Sequence, residues 1–329
     1  MECSLLSEKI DTGAKGIWKF HNFFENEILP SNRLSLGEGC TALQVIELPG
    51  KKIWLKREDA NPNGSHKDRS LAYQISRASN RGSKELVISS SGNAAISAAA
   101  FCRQARIKLW VFLSPDVNRQ KFLQVRKFKP QIIISRRAIR LANYLASRKK
   151  LHNLRPSTDD DSVTGFKSLG LEIFSDWEKP LPVFTYVTSG SSLLGIFEAF
   201  TDLQELGCLN KILPLNEVSS VPDGLAGRGG TGRTRRRQTI KEVLDRTGGS
   251  KYVMTENEMK LAADMLRERE IVTSPEGQAT VAAALKSDYD EMVCVLSGRS
   301  YSEERLQPGD LGGVARAETL SDIDDILQQ

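Results

Sequence analysis

Residues 86–113, LVISSSGNAAISAAAFCRQARIKLWVFL, contain the pattern that decides the fold. An apolar run, Leu86–Ser89, is followed by a turn of small residues and then by an alanine-rich helical stretch, Ala94–Gln104. A second apolar run, Lys108–Leu113, comes directly after the helix. Apolar runs with little polar alternation are typical of strands that are buried on both faces. The stretch therefore predicts a strand–helix–strand unit in a parallel sheet.

The same alternation of strands and helices continues along the 329 residues. It indicates an α/β fold with mostly parallel sheets, and the length fits two domains of roughly 150 residues each. Ligands of such sheets bind beyond the carboxyl ends of the strands, where loops lead into helices. Further strands are predicted at Gln131–Ser135, Val183–Val187, Lys211–Leu213, Lys251–Met254 and Met292–Leu296, and further helices at Leu71–Asn80, Val117–Phe128 and Glu256–Arg269.

Composition narrows the class of protein. Hydrophobic residues make up 40% of the chain and charged residues 26%, which is typical of a globular protein. No run of about 18 apolar residues is present, so we expect no membrane span. The five cysteines are scattered without a CxxC pair, which favours reduced thiols and a cytoplasmic location. With three histidines and no metal-ligand spacing, we expect no metal site.

Positive charge is concentrated in one segment. Residues 101–150 contain fourteen Lys or Arg residues and a single acid, Asp116, whereas the whole chain has a net charge of +5. A basic block of this kind could attract an anionic partner. A solvated basic face is the more common explanation, and no nucleic-acid-binding motif accompanies the block. We therefore expect no nucleic-acid partner.

A candidate nucleophile lies in residues 61–69, NPNGSHKDR. Asn-Pro and Asn-Gly predict a turn, after which a helix begins near Ser65–Asp68. Lys67 then lies in the first helical turn, where the partial positive charge of the helix N-terminus disfavours an ammonium. This favours a neutral amine that can attack a carbonyl carbon. Lysines in general are surface residues, and the position alone leaves that interpretation open.

Two turns of small residues each lead from a predicted strand into a predicted helix. Such turns offer backbone N–H groups and a helix N-terminus to an anion, although a purely structural turn has the same pattern. The first turn could hold a carboxylate and consists of Ser90, Ser91, Gly92, Asn93 and Ala94. The second could hold a phosphate and consists of Thr188, Ser189, Gly190, Ser191 and Ser192.

In combination and in order, these segments resemble the threonine synthase family of fold-type-II pyridoxal 5′-phosphate (PLP) enzymes. The resemblance covers roughly residues 16–300. GSHKDR resembles the family's lysine motif NPTGSFKDR, SSSGNAA its asparagine loop and TSGSSLLG its phosphate loop. The other matching segments are GIWKF at 16–20, LGEGCTAL at 36–43, SPEGQA at 274–279 and VLSG at 295–298.

The resemblance implies a fold, a cofactor and a site. The fold is like that of the tryptophan synthase β-subunit, with a large PLP-binding domain of residues 1–70 and 155–329 and a smaller mobile domain of residues 71–154. Lys67 would form the Schiff base with PLP, Asn93 would bind the ring oxygen and Ser297 would face the pyridine nitrogen. Thr188, Ser189, Gly190, Ser191 and Ser192 would bind the cofactor's phosphate, and Ser90, Ser91, Gly92 and Ala94 the substrate.

The implied reaction converts O-phosphohomoserine and water to threonine and phosphate, in a homodimer that takes a small amino-acid phosphate as substrate. Departures from the family pattern keep two alternatives open. His66 replaces the usual Phe, Ala94 a Thr, and Ser-His-Lys is similar to the tryptophan synthase β-subunit. Another PLP-dependent β-replacement or elimination enzyme, such as a cysteate-synthase-like enzyme or a dehydratase, is one alternative. The other is a non-catalytic PLP-binding homologue that acts as an interaction protein.

An arginine-rich stretch, residues 222–237, completes the candidate features. Its glycines predict a mobile loop. Its arginines could bind a leaving phosphate through paired hydrogen bonds, or could simply be solvated.

Overall fold

The computed structural model describes residues 4–90, 92–177, 180–221 and 235–328. Among these residues, no helix is both long enough and apolar enough to cross a membrane. The helices are α1 (Ser4–Lys9), α2 (Lys67–Asn80), α3 (Asn93–Ala105), α4 (Arg119–Lys127), α5 (Ala138–Lys149), α6 (Asp161–Trp177), α7 (Ser191–Glu205), α8 (Arg237–Thr247), α9 (Glu256–Arg267), α10 (Pro275–Lys286) and α11 (Leu320–Gln328). The strands are β1 (Leu43–Leu48), β2 (Lys51–Lys56), β3 (Glu85–Ser89), β4 (Lys108–Leu113), β5 (Gln131–Ile134), β6 (His152–Asn153), β7 (Val183–Tyr186), β8 (Leu215–Ser220), β9 (Lys251–Met254), β10 (Glu291–Val295) and β11 (Ala315–Arg316).

The chain folds into two compact units. The first unit comprises the residues up to Asn26 together with Gly37–Arg69 and Val163–Ser300. The second comprises Glu27–Leu36, Ser70–Ser162 and the residues from Tyr301 onward. The predicted large domain included residues 27–36, 155–162 and 301–329, whereas the structure assigns these segments to the second unit. For residues 301–329 the physical reason is that β11 pairs with β5 of that unit's sheet.

The first unit contains a six-stranded sheet in the order β1-β2-β10-β7-β8-β9. Only β1 runs antiparallel to its neighbour, and the other pairs are parallel. Successive residues of its central strands pack into two different hydrophobic clusters. Val183 and Val293 pack with residues of α6, α7 and α8. Phe184 and Cys294 pack with α9 and α10. Since neighbouring strand residues point to opposite faces, helices cover both faces of this sheet.

The second unit contains a five-stranded parallel sheet in the order β11-β5-β4-β3-β6. β3, α3 and β4 follow one another, and β3 pairs directly with β4. The predicted strand–helix–strand unit is therefore confirmed. Its core joins the strand residues Val87, Trp110 and Phe112 to Leu145 of α5 and Ile323 of α11.

One predicted strand is wrong and its neighbour was missed. Residues 211–213 are not extended in a sheet, and the strand begins after Pro214, at Leu215. Proline has no N–H to donate to a ladder, so it cannot serve inside a central strand. β8 has the polar sequence LNEVSS, yet all six residues are buried between β7 and β9. A prediction based on apolar runs misses β8, because most of its residues are polar.

The C-terminal segment covers part of the basic block within the second unit. The Arg119 guanidinium donates to Asp310 over 2.8 Å and forms an ion pair with Glu304 at 3.3 Å. Arg126 donates to the Asp310 carbonyl, and the Tyr144 hydroxyl donates to Asp324 over 2.9 Å. Acids from the end of the chain thus offset part of the charge that the sequence concentrates at 101–150.

One group of potential metal ligands lies in the second unit among the described residues. Ligand atoms of His152, Asp159 and Asp161 lie within 4.8 Å of one another. His152 Nε2 is 2.8 Å from Asp159 Oδ2, which also accepts a hydrogen bond from Gln74. Arg77 forms an ion pair with Asp161. Because this guanidinium already supplies positive charge, the group is better described as an ion-paired network that fixes the start of α6.

Among the described residues, one cysteine departs from the expected reduced state. Cys40, Cys102 and Cys294 are free thiols. Cys208 is disulfide-bonded, so the expectation of uniformly reduced cysteines is wrong there. Burial raises the pKa of the Cys102 and Cys294 thiols well above the usual value, which keeps them in the neutral form.

Candidate functional site

Lys67 is the first residue of α2, as its sequence context predicts. The nearby residue Ser65 forms a bridge with Gly298, at the end of the segment that follows β10. Lys67 is half-buried, with its Nζ 2.9 Å from His66 Nε2 and 5.1 Å from the centre of the Phe166 ring. The amine therefore contacts the His66 imidazole and lies near the Phe166 ring.

The surroundings of Lys67 favour its neutral form. Burial lowers the pKa of Lys67 from 10.5 to about 8, with a further lowering from the charge of Arg236 and an opposing effect from Glu276. At pH 7 a pKa near 8 leaves roughly a tenth of the amine neutral, which is a few hundred times more than for an ordinary lysine. An amine of this kind is suited to attack an aldehyde.

This pKa predicts the pH dependence of cofactor uptake. Only the neutral amine attacks an aldehyde, so the rate of PLP uptake by the cofactor-free protein should rise about tenfold per pH unit below pH 8. The rate should level off above that pH. Stopped-flow absorbance from about pH 6 to about pH 10.5 measures it, with a free lysine derivative as the control. A protein rate that keeps rising in parallel with the control would contradict the lowered pKa.

His66 is the contact that sequence reasoning did not foresee. Its Nδ1 lies 2.6 Å from the Ser297 carbonyl oxygen, and its backbone N–H donates to the same oxygen over 3.0 Å. A carbonyl only accepts, so Nδ1 carries the hydrogen and Nε2 is left as an acceptor towards Lys67. Burial, followed by the charges of Lys67 and Arg69, holds the pKa of His66 well below its usual value, although the bond to Ser297 opposes this.

Ser297 directly follows the buried Leu296, just beyond β10. Its side chain is buried, and its carbonyl holds His66 in place. The structure therefore brings Ser297 and Lys67 to the same place, with His66 between them. The motif VLSG predicted Ser297 as a site residue, but no pattern in the sequence linked it to His66.

The predicted phosphate turn connects β7 to α7. Gly190 has a φ of +83°, and a Cβ added there would lie 2.4 Å from Ile240 Cδ1. Only glycine fits both the backbone and this close approach. Ser189, Ser191 and Ser192 are buried, whereas Thr188 is exposed. The turn thus presents hydroxyl groups and the positive end of a 15-residue helix, which together favour an anion.

Arg236 lies on this turn. Its guanidinium Nη1 is 3.1 Å from Ser191 Oγ and 3.5 Å from the Ser189 carbonyl oxygen. The sequence placed Arg236 in a mobile arginine-rich loop of residues 222–237. Residues 222–234 lie outside the described part of the chain, whereas Arg236 immediately precedes α8 and is 6% exposed.

The asparagine loop belongs to the second unit. Asn93 begins α3, with Gly92 as its N-cap in an extended conformation. The Gly92 N–H donates to Ser90 Oγ over 3.4 Å, Ala94 is buried, and Ser91 lies outside the described residues. The Asn93 Oδ1 atom is buried and has no hydrogen-bond partner. An unsatisfied buried amide oxygen costs about 1–3 kcal/mol, so a polar ligand at this position would offset a real penalty.

These features fit a phosphorylated aldehyde cofactor. The first unit offers a neutral amine at Lys67 and an anion-binding turn at 188–192 with a guanidinium on it. The second unit, taken by itself, contains the buried Asn93 Oδ1 atom, which lacks a hydrogen-bond partner. Two mostly parallel sheets with helices, together with these groups, define the class of fold-type-II PLP enzymes. The chain belongs to the pyridoxal-phosphate dependent enzyme family, whose sequence model matches residues 34–298. It is a PLP-dependent enzyme, and its cofactor is pyridoxal 5′-phosphate.

Comparison with characterised proteins gives relatives at low identity. Threonine synthase of Methanocaldococcus jannaschii is 24% identical and aligns with 90% of this chain and 83% of its own length. Threonine synthase of Mycobacterium tuberculosis is 22% identical, over 88% of this chain and 84% of its own. The similarity to proteins named threonine synthase therefore extends over almost the whole chain.

The chain shares its fold with the solved structures of several different enzymes. O-ureido-L-serine synthase with O-ureido-L-serine bound superposes with a TM-score of 0.68 at 16% identity, over 88% of this chain and 96% of that one. A T.th. threonine deaminase superposes with a TM-score of 0.65 at 23% identity, over 80% and 94% respectively. At such identities the likeness establishes the fold, and the reaction has to be argued from the site.

Proposed function

We propose that the chain catalyses the threonine synthase reaction, in which O-phosphohomoserine and water give threonine and phosphate. The observation that carries the proposal is Lys67, whose amine has a pKa lowered to about 8 and contacts a neutral imidazole. The relatives named threonine synthase support the choice of substrate, because they align with most of the chain.

In this proposal Lys67 would hold the cofactor covalently, and its amine would become free to move protons once the substrate is bound. The bound cofactor supplies an electron sink, which lets protons leave carbon atoms next to the amino group. Lys67 then accepts and returns protons at the α- and β-carbons of the substrate. A group whose pKa lies near the working pH can both accept and return a proton. The lowered pKa of Lys67, about 8, therefore suits it to this role.

The remaining candidate residues would bind and orient the cofactor and the substrate. We assign the cofactor's phosphate to the turn of Thr188, Ser189, Gly190, Ser191 and Ser192, its ring oxygen to Asn93 and its ring nitrogen to Ser297. A hydroxyl at Ser297 does not hold a proton on that nitrogen as a carboxylate would, which favours elimination and replacement over transamination. The substrate's carboxylate is assigned to Ser90, Ser91, Gly92 and Ala94.

His66 orients the Lys67 amine, which is the proposed proton-transfer group. Its Nδ1 hydrogen is committed to the Ser297 carbonyl, so its Nε2 accepts from the Lys67 amine. Because the imidazole stays neutral, it orients the amine without adding a competing cation. The departure from the family's usual Phe is thereby explained as a positioning contact on Lys67.

The test is a substrate comparison with the PLP-loaded protein. O-phosphohomoserine should release inorganic phosphate and form threonine in equal amounts, measured by a phosphate assay and chiral chromatography. Homoserine, which lacks the leaving group, is the matched control and should not react. Phosphate release without threonine, or turnover of O-phosphoserine or serine in preference, would overturn this assignment.

The second candidate is β-replacement or elimination on a smaller amino acid. The Ser-His-Lys sequence and Ala94, where the family commonly has Thr, favour it. Membership of an enzyme family argues against the non-catalytic alternative. The homodimer, the small amino-acid phosphate as substrate and the absence of a nucleic-acid partner stay predictions.

A further inference from the structure

Arg236 combines burial with contacts on the phosphate turn. The residue is 6% exposed, although arginine is among the residue types least often buried. Its Nη1 donates to Ser191 Oγ over 3.1 Å and lies 3.5 Å from the Ser189 carbonyl oxygen. Its neighbours Arg235 and Arg237 are exposed. Of these three consecutive arginines, Arg236 is the one that is buried and contacts the turn.

The backbone of Arg236 is fixed by helix α8. Its carbonyl accepts the Ile240 N–H over 2.9 Å, which begins the helix. Ile240 is buried in the core of the first unit and packs directly on Gly190, at the centre of the turn. The same contact that requires glycine at 190 thus sets the distance between Arg236 and the turn. A guanidinium anchored in this way loses little further freedom when it binds a ligand.

The guanidinium adds positive charge where the α7 helix already provides some. The N-terminus of α7 carries a partial positive charge, and Arg236 is placed on its first residue, Ser191. The charge of Arg236 also reaches Lys67 and contributes to lowering the pKa of that amine. Two positive features, the N-terminus of α7 and the Arg236 guanidinium, therefore meet at the turn, and both would stabilise an anion bound there.

Ser191 gives the contact a direction. Its hydroxyl oxygen accepts from Arg236, so the hydroxyl hydrogen points away from the guanidinium, and Ser189 Oγ lies 3.1 Å away. A phosphate offers several acceptor oxygens to such hydroxyls and to the guanidinium. Ser191 links the turn to the arginine through its hydroxyl, and Ser189 adds a second hydroxyl beside it.

We propose that Arg236 binds the phosphate group of PLP through a charge-assisted hydrogen bond, together with the turn at residues 188–192. A phosphate monoester could reach this turn from the cofactor or from the substrate, and we assign Arg236 to the cofactor's phosphate. The inference rests on PLP binding by the first unit and holds for either candidate reaction.

The test compares R236Q, R236K and R237Q in the full chain after removal of the cofactor. Equilibrium absorbance titrations measure the dissociation constants of PLP and of pyridoxal, which has the same aldehyde but no phosphate. R236Q should weaken PLP binding roughly 10- to 100-fold, as expected for a lost hydrogen bond between charged groups. Pyridoxal binding should change less than about threefold. R237Q, a change of the same charge on an exposed neighbour, should leave both constants near wild type.

The R236K variant covers the case in which R236Q does not fold. Lysine keeps the charge but loses the planar fork, so PLP binding should weaken by about three- to tenfold with pyridoxal binding unchanged. Wild-type affinity for PLP in the variants, or equal losses for PLP and pyridoxal, would overturn the proposal. So would normal PLP binding with a raised KM for O-phosphohomoserine, which would assign Arg236 to the substrate's phosphate. If instead the wild-type protein bound no PLP, the assigned cofactor site would fail as well.

Discussion

Lys67→Ala should abolish the visible absorbance of the PLP-loaded protein and lower its activity by about a thousandfold or more. The absorbance reports the covalent link between amine and aldehyde, and an alanine cannot form it. Loss of the proton-transferring group alone costs about 10² to 10⁴ in rate. Absorbance spectra and steady-state kinetics on the purified variant measure both effects.

The control for this variant is Lys260→Ala, on the exposed face of α9. It removes the same side chain from a position outside the candidate site, and should leave spectrum and activity unchanged. A Lys67→Ala protein that keeps the visible band would show that another amine carries the cofactor. An inactive but correctly folded Lys260→Ala protein would show that the assay does not report on the proposed site.

Glu172→Ala should destabilise the protein by about 3 kcal/mol or more. The Glu172 carboxylate is buried and accepts the N–H groups of Cys40 and Thr41, each over 2.9 Å. It also accepts from Lys56 over 2.7 Å and from Arg69 over 2.9 Å. Removing it leaves two buried cations with one partner fewer. Urea-induced unfolding measures the change in the free energy of unfolding.

This ion network supports the site as well as the fold. Arg69 follows Lys67 by two residues in α2 and is also bound by Glu58 over 2.7 Å. Both carboxylates hold the pKa of Arg69 well above its usual value, despite opposing desolvation. We therefore expect Glu172→Ala to bind PLP more weakly in addition to being less stable.

The pH dependence of the Glu172 effect has a definite sign. The charges of Arg69 and Lys56 hold the pKa of Glu172 well below its usual value, in spite of the desolvation that opposes them. A carboxyl with a depressed pKa stabilises the fold above its unfolded value near 4.5, and this contribution is lost as the pH falls below that value. The gap between wild type and Glu172→Ala should therefore be full at about pH 7 and shrink in acid.

The control is Glu268→Ala, an exposed glutamate near the end of α9. It should change the free energy of unfolding by less than about 0.5 kcal/mol. Equal losses for the two variants, or a Glu172→Ala protein within about 1 kcal/mol of wild type at about pH 7, would contradict the assigned network.

The sequence predicted the parts of the fold in which local pattern and tertiary environment agree. β3, α3 and β4 were predicted because apolar runs and a helical stretch alternate there without polar interruption. The predicted helix at Glu256–Arg269 is confirmed as α9, and its start is fixed by a capping box between Thr255 and Glu258, which are close in sequence. Lys67 at the beginning of α2 followed from turn residues directly before it.

Other features depend on contacts between residues that are far apart in the chain. β8 is buried although its sequence is polar, because its neighbours β7 and β9 satisfy its backbone on both sides. Glu172 binds residues more than 100 positions away, and nothing near it in the sequence marks it. The sequence could not distinguish Arg236 from the arginines beside it. The packing of Ile240 on Gly190, which brings Arg236 to the turn, is a tertiary contact.

Reduction of the PLP-loaded protein with borohydride, followed by peptide mapping with mass spectrometry, tests the central claim most directly. Borohydride converts a lysine–aldehyde link into a stable amine, which marks the residue that held the cofactor. The account predicts a phosphopyridoxyl group on the peptide that contains Lys67. A label on a different lysine, or an unlabelled protein after PLP loading, would contradict it.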